Sequence, residues 1–166
     1  MKSRFISYSS AFDNNVSPLL NLCAGSDKGI VSFHLAGGHT EGEYTRRHVM
    51  QALEMESEDI RVSPQRMASF SIFRKCSESL AFLNEWLDFC CRPDLITDLP
   101  SETPDFDEFK DHRHDQSLFS LLLKKHSISS FPDPTQWGLI HKETSERDYF
   151  INHHRNNSAA LSKISI

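Results

Sequence analysis

"GIVSFHL", residues 29–35, decides the fold class. Gly29 opens a short run rich in β-branched and aromatic residues, Ile30, Val31 and Phe33. Such a run, bounded by a glycine, reads as a strand with at least one covered face. Upstream, residues 15–23 place Val16, Leu19, Leu20 and Cys23 on one face of a helix. Pro18 falls in its first turn, where a missing N–H is tolerated. Further upstream, "RFISY" (4–8) reads as another short strand. Downstream, "ASFSIFR" (68–74) alternates serine with Phe70 and Ile72 and gives a third.

A helix follows over 77–91. Ser77 is placed to N-cap it, and Glu78 suits its positive end. Leu80, Leu83, Trp86, Leu87 and Cys90 are expected on its inner stripe, and Pro93 stops it. Another helix starts near Asp115 and carries Leu118, Leu121, Leu122 and Lys125. Residues 45–55 add a fourth. Strands alternating with helices predict an α/β fold with a mixed or mainly parallel sheet flanked by helices. Residues 37–43 and 91–112 are expected to be irregular. The second stretch holds three prolines and many acids. A loop that long in a compact domain contributes to a site or covers one.

The chain has 166 residues, which predicts one domain, drawn here over 1–157 with a loose tail over 158–166. Apolar content is only 38%, but twelve Phe restore burial capacity. The formal net charge of -5 and the scattered basic residues argue against a nucleic-acid partner. No apolar run approaches the roughly 18 residues of a membrane span. The start has no continuous apolar leader segment. Cys23, Cys76, Cys90 and Cys91 show no C-x-x-C spacing, so free thiols and a cytoplasmic location are favoured.

The densest chemistry is "DHRHDQS" (111–117). In an extended segment His112 and His114 point one way and Arg113 the other. Asp115 sits at a loop–helix junction, as an N-cap would. That bland role leaves Arg113, Gln116 and both histidines unexplained. Arg offers a fork for carboxylate or phosphate, Gln both a donor and an acceptor, and a helix start exposes amides to an anion. Together they point to a sugar or phosphate site. Three weaker candidates follow. Arg46 and Arg47 beside Thr45 could meet an anion or form a solvated helix face. His153 and His154 could supply a metal or phosphate ligand or be a surface pair. Asp105-Phe106-Asp107 has the D-x-D form that holds divalent metals, but no strand precedes it. No G-x-S-x-G, P-loop or G-x-G-x-x-G occurs.

Several stretches together resemble one family: Gln65 before a strand, "EWL" (85–87) in a helix, "LITD" (95–98), "HRHDQS" (112–117), "DPTQWG" (133–138) and "HHR" (153–155). The chain resembles glycosyltransferase-like proteins of the GT-A, nucleotide-diphospho-sugar transferase type over roughly residues 5–155. "YTRRH" (44–48) is similar to a family W-T-K-R-D segment, with His48 in place of the acid. The resemblance implies a nucleotide-sugar donor, a glycan or other acceptor, and a divalent metal, Mn or Mg. It implies that Asp115 and Gln116 face donor sugar or acceptor, with Asp115 a general base if the enzyme inverts. His112, Arg113, His114, Gln65 and Arg46 would bind substrate, and His153 or His154 would hold metal or diphosphate. The sequence also departs from the family. Where a Y-x-D-S pattern would carry the metal acid, this chain has Tyr8-Ser9-Ser10-Ala11, and the βαβ units that hold a nucleotide are not found. The alternative is therefore a non-catalytic glycan- or protein-binding module of the same fold, in which a protein partner completes the sheet. A metal-dependent hydrolase using the histidines lacks the helix spacing it would need.

Overall fold

The structure is a computed structural model and describes residues 6–12, 16–140 and 151–157. The chain runs β1 (Ile6–Phe12), α1 (Ser17–Gly25), β2 (Ile30–Phe33), α2 (Glu41–Tyr44), α3 (Arg47–Ala52), α4 (Glu58–Arg61) and β3 (Ile72–Phe73). It continues with α5 (Ser77–Cys90), α6 (Pro93–Ile96), α7 (His114–Lys125), β4 (Ser130–Phe131), α8 (Gln136–Ile140) and β5 (Ile151–Asn157). The fold is mixed α/β. The loose tail expected over 158–166, residues 4 and 5 of the first predicted strand, and the helix start at Asn15 lie outside the described residues.

Strand β2 is the middle of a three-stranded sheet of order β3-β2-β4. It pairs antiparallel with β3 and parallel with β4. The sheet is thus mixed rather than mainly parallel, because 68–74 returns beside β2 in the opposite sense. All four residues of β2 are buried, which explains why its sequence reads as an apolar run and not as an alternation. Residues 29–35 are therefore not an edge awaiting a partner. A separate two-stranded antiparallel ladder joins β1 to β5, with Ser10 opposite His153 and Ser9 opposite His154. A parallel bridge from Thr135 to Ile151 connects β5 to the segment after β4.

Helix α7 is the axis of the main core. Every residue from Ser117 to Leu123 is buried, where the sequence predicts a single stripe. A helix covered on all sides must bury its polar positions too. Ser117 and Ser120 meet that demand through hydrogen bonds described below. Phe119 packs on Phe73, Phe82 and Trp86, with the Trp86 ring 4.7 Å away. Around it lie Val49, Met50, Leu53, Leu95, Leu118, Leu121 and Leu122. A second, smaller cluster joins α1 to the sheet through Leu19, Cys23, Val31, Phe33 and Ile151.

Two sequence expectations rotate. On α5 the buried residues are Ser79 and Phe82, with Trp86, Phe89 and Cys90 packed against the core, while Leu80 and Leu87 are exposed. The aromatic rings, which bury the larger area, choose the inner face. The cap position of α5 is Cys76, not Ser77: Ser79 Oγ accepts from the Cys76 amide at 3.2 Å and donates to Arg74 O at 2.6 Å. On α1, Leu20 is 54% exposed.

The stretch read as a loop over 37–43 contains α2. Thr40 and Glu43 close a reciprocal capping box at its start, a T-x-x-E signal present in the sequence. The helix expected over 45–55 is shorter, since Thr45 and Arg46 are extended and α3 begins at Arg47. A Cβ at Gly42 would come within 2.5 Å of Glu108 Oε1 and 2.7 Å of Arg61 Cγ, so both side chains would have to shift to admit one.

Candidate functional site

Helix α7 starts at His114, one residue before Asp115. The cap position is Arg113, whose side chain makes no capping bond. Asp115 is not the N-cap. It lies in the first helical turn, exposed, where a carboxylate still suits the positive helix end. The junction is strained: His114 has φ +47°, a left-handed conformation that costs a non-glycine residue about 1 kcal/mol. This turn sends neighbouring side chains to opposite sides.

Arg113 and Gln116 turn towards Gln65. Gln65 is fully buried between α4 and β3, and its backbone bonds His39 and Leu35. Its Oε1 accepts from Arg113 Nη1 at 3.1 Å and from Gln116 Nε2 at 2.9 Å. Its Nε2 donates to Tyr44 O, Thr45 Oγ1 and Ser117 Oγ at 3.3–3.4 Å. Both ends of one carboxamide are thereby used, as a buried amide requires. Ser117 Oγ in turn donates to Tyr44 O at 2.7 Å.

The Arg113 guanidinium lies 3.6 Å from the centroid of the Tyr44 ring. The His39 ring meets the same tyrosine edge-on at 5.0 Å. Arg113 is half-buried, and among the described residues no carboxylate stands within ion-pair distance of it. Burial lowers its pKa from the ordinary arginine value, opposed by Tyr44 and the more distant Asp111, Glu43 and Glu41. The cation is thus held by a neutral amide and an aromatic face, which leaves its charge available to an anion.

Beneath this cluster lies a buried ion pair. Glu41 is wholly buried and takes Lys124 Nζ at 2.6 Å, with Ser120 Oγ on the same oxygen and Thr45 Oγ1 on the other at 2.7 Å. Lys124 also donates to Ser63 Oγ at 2.7 Å. Thr45 links the two layers, donating to Glu41 and accepting from Gln65.

His112 and His114 go the other way. Their rings pack edge-on with centroids 5.2 Å apart. His112 is buried and bonds Leu95 O at 2.9 Å; His114, partly exposed, lies 3.2 Å from Asp98 Oδ1. Arg46 does not join the cluster either. It pairs with Asp105 at 3.3 Å and donates to Leu99 O. The other Asp105 oxygen accepts the Arg47 amide at 2.9 Å, so this carboxylate caps α3 from a distant loop. That use does not fit a D-x-D metal pair. His153 and His154 lie on β5, and their backbone register opposite Ser10 and Ser9 is all that is described. Among the described residues no three His, Cys, Asp or Glu side chains are arranged to hold a metal ion.

The sequence therefore nominated Gln65, Arg113 and Gln116, which come together, and Arg46, His112 and His114, which do not join them. It gave no role in the cluster to Tyr44, Thr45 and Ser117 and did not single out Glu41; the capping box at 40–43, which seats Glu41 and Tyr44, was the available signal. A cleft of about 470 Å³ lies elsewhere, lined by Asn21, Lys28, Ile30, Ser127, Ile128 and Phe131 among others. It opens at the amino ends of β2 and β4, whereas open α/β sheets bind ligands beyond the carboxyl ends. Among the described residues no helix is long and apolar enough to cross a membrane. Comparison with protein-family models, with curated proteins and with solved structures returns no match.

Proposed function

We propose that this chain is a glycosyltransferase-like domain, a partial GT-A-like sheet that takes a nucleotide sugar and passes the sugar to a glycan or other acceptor. One observation carries the reading: Arg113 and Gln116 share the carboxamide of Gln65, which is distant from them in sequence, and among the described residues no carboxylate pairs with the Arg113 guanidinium. Arg113 would meet a phosphate of the donor, and the Gln116 and Gln65 amides would fix its orientation. Asp115, exposed one residue away, would act as general base if the sugar inverts. A divalent ion, Mn or Mg, would be held through His153 or His154.

A titration of the folded protein with several nucleotide sugars and manganese, followed by NMR shifts, tests this. The expected result is saturable binding that Arg113→Ala weakens by at least tenfold. No binding at millimolar ligand would sink the proposal. The outward placement of Asp115, whose carboxylate makes no hydrogen bond among the described residues, favours a second reading: a non-catalytic module that binds glycan or a protein partner. Sugar turnover that disappears in Asp115→Ala would exclude that second reading.

A further inference from the structure

Three imidazoles meet one short segment. His48 of α3 bonds Asp94 O through Nε2 at 2.8 Å, His112 bonds Leu95 O through Nε2 at 2.9 Å, and His114 Nε2 lies 3.2 Å from Asp98 Oδ1. A carbonyl oxygen only accepts, so His48 and His112 donate and carry their proton on Nε2 when neutral. Both Nδ1 atoms are then lone pairs. Both are buried, and neither has a hydrogen-bond partner. Arg46 adds a further bond, to Leu99 O.

Besides these bonds the segment is anchored by Leu95 in the main core, with Ile96 packed beside it. Helix α6 is a single turn, its cap residue Arg92 makes no side-chain capping bond, and only Leu95 is fully buried. One turn of helix is not stable by itself. The geometry points to residues 93–99 forming an acid-released strap, held shut by neutral imidazoles at His48 and His112 and freed when His112 takes a second proton.

The second proton must go on His112 Nδ1, where no acceptor waits and water is excluded. An imidazolium there would also face the His114 ring and His48 of α3. The neighbouring acids do not bond it. Asp94 is engaged by Arg92 at 2.8 Å and Asp98 by His114. Of the acids only Asp98 acts on His112 through its charge, favouring the protonated ring, and His48 opposes it. Burial, ahead of every other cause, holds the His112 pKa below the ordinary histidine value; its bond to Leu95 opposes that and His114 adds to it. Protonation therefore favours the state in which the strap has lifted and the ring reaches water. For one histidine whose open-state pKa is about 6.5, the opening constant rises by up to about 30-fold between pH 7.5 and pH 5. The inference does not depend on any ligand.

The experiment is residue-resolved hydrogen exchange on the intact chain from pH 7.5 to pH 5, corrected for intrinsic exchange, beside an NMR titration of His112. The amides to follow are Leu95 and Ile96, both bonded to Arg92 O. Their protection should fall by up to about 30-fold on acidification, while the amides of 118–123 in α7 keep theirs. In His112→Gln, which can still donate to Leu95 O but cannot titrate, most of that pH dependence should vanish. Unchanged protection at pH 5, an equal loss in α7, or the same pH dependence in the variant would each overturn the strap. If the variant does not fold, the wild-type exchange profile and the His112 titration decide alone: a His112 pKa at or above the ordinary value overturns it as well.

Discussion

The first turn of α7 divides its polar residues between two neighbourhoods with opposite physics. On one side Arg113 and Gln116 join Gln65, Tyr44 and Ser117, with neither an imidazole nor a carboxylate among the partners of the shared carboxamide. On the other side His112 and His114 join His48 and the segment after α5, where the side chains that bond the segment are imidazoles and burial lowers the His112 pKa. A run of adjacent residues thus builds a pH-indifferent cluster and a pH-responsive one, because the left-handed turn at His114 sends neighbouring side chains to opposite sides. Chemistry that needs a fixed positive charge belongs to the first; a movable cover belongs to the second.

The largest test of that division strikes the foundation of the indifferent side. Glu41→Leu leaves Lys124 buried without its carboxylate and is expected to cost about 3–5 kcal/mol, read from urea unfolding. Lys124→Met added to it should recover part of the loss, because the stranded charge is then gone. Gln65→Leu keeps the volume but strands Arg113 Nη1 and Gln116 Nε2, and should cost about 2 kcal/mol. Its unfolding midpoint should shift equally at pH 7.5 and pH 5.5.

The responsive side predicts the reverse. The folded-state pKa of His112 lies below its unfolded value, so the unfolded chain binds the extra proton more readily. Its contribution is fully present above about pH 6.5 and is lost as pH falls, by up to about 2 kcal/mol at pH 5. The difference between wild type and His112→Gln, measured across that window, isolates it. The smallest effect is expected from Asp105→Ala, which removes the distant cap on Arg47 and the partner of Arg46, at about 1 kcal/mol. That cost should be the same at pH 7.5 and pH 5.5, because Asp105 bonds no imidazole.

The elements were legible where side-chain pattern and burial agree. β2 and α5 could be read because a buried strand needs a continuous apolar run and a long helix needs a repeat. The inner face of α5 was read in part: Trp86 and Cys90 pack against the core as expected, but Leu80 and Leu87 match the repeat as well as Phe82 and Phe89 do, and only the packing of Phe119 chooses between them. α2, α4 and α6 are one-turn helices, too short to show a period; the caps Thr40 and Ser57 announce the first two, and α6 has no side-chain cap to announce it. In the candidate site, the alternation of His112, Arg113 and His114 could be seen in the sequence. Which partner each would find could not, since Gln65 and Leu95 arrive from separate segments through tertiary contacts. Arg46 illustrates the same limit: its charge was evident, but Asp105 reaches it from across the 91–112 loop.

That reach has a consequence for the order in which the molecule assembles. The bond from the Arg47 amide to Asp105 spans 58 residues, and α3 is only six residues long. A helix of that length cannot nucleate by itself, and its cap comes from a part of the chain synthesised much later. Closing so large a loop precedes any gain from the contact. Helix α3, early in the sequence, is thus among the last elements completed, and slow formation of its first turn would time the docking of the loop rather than any local step.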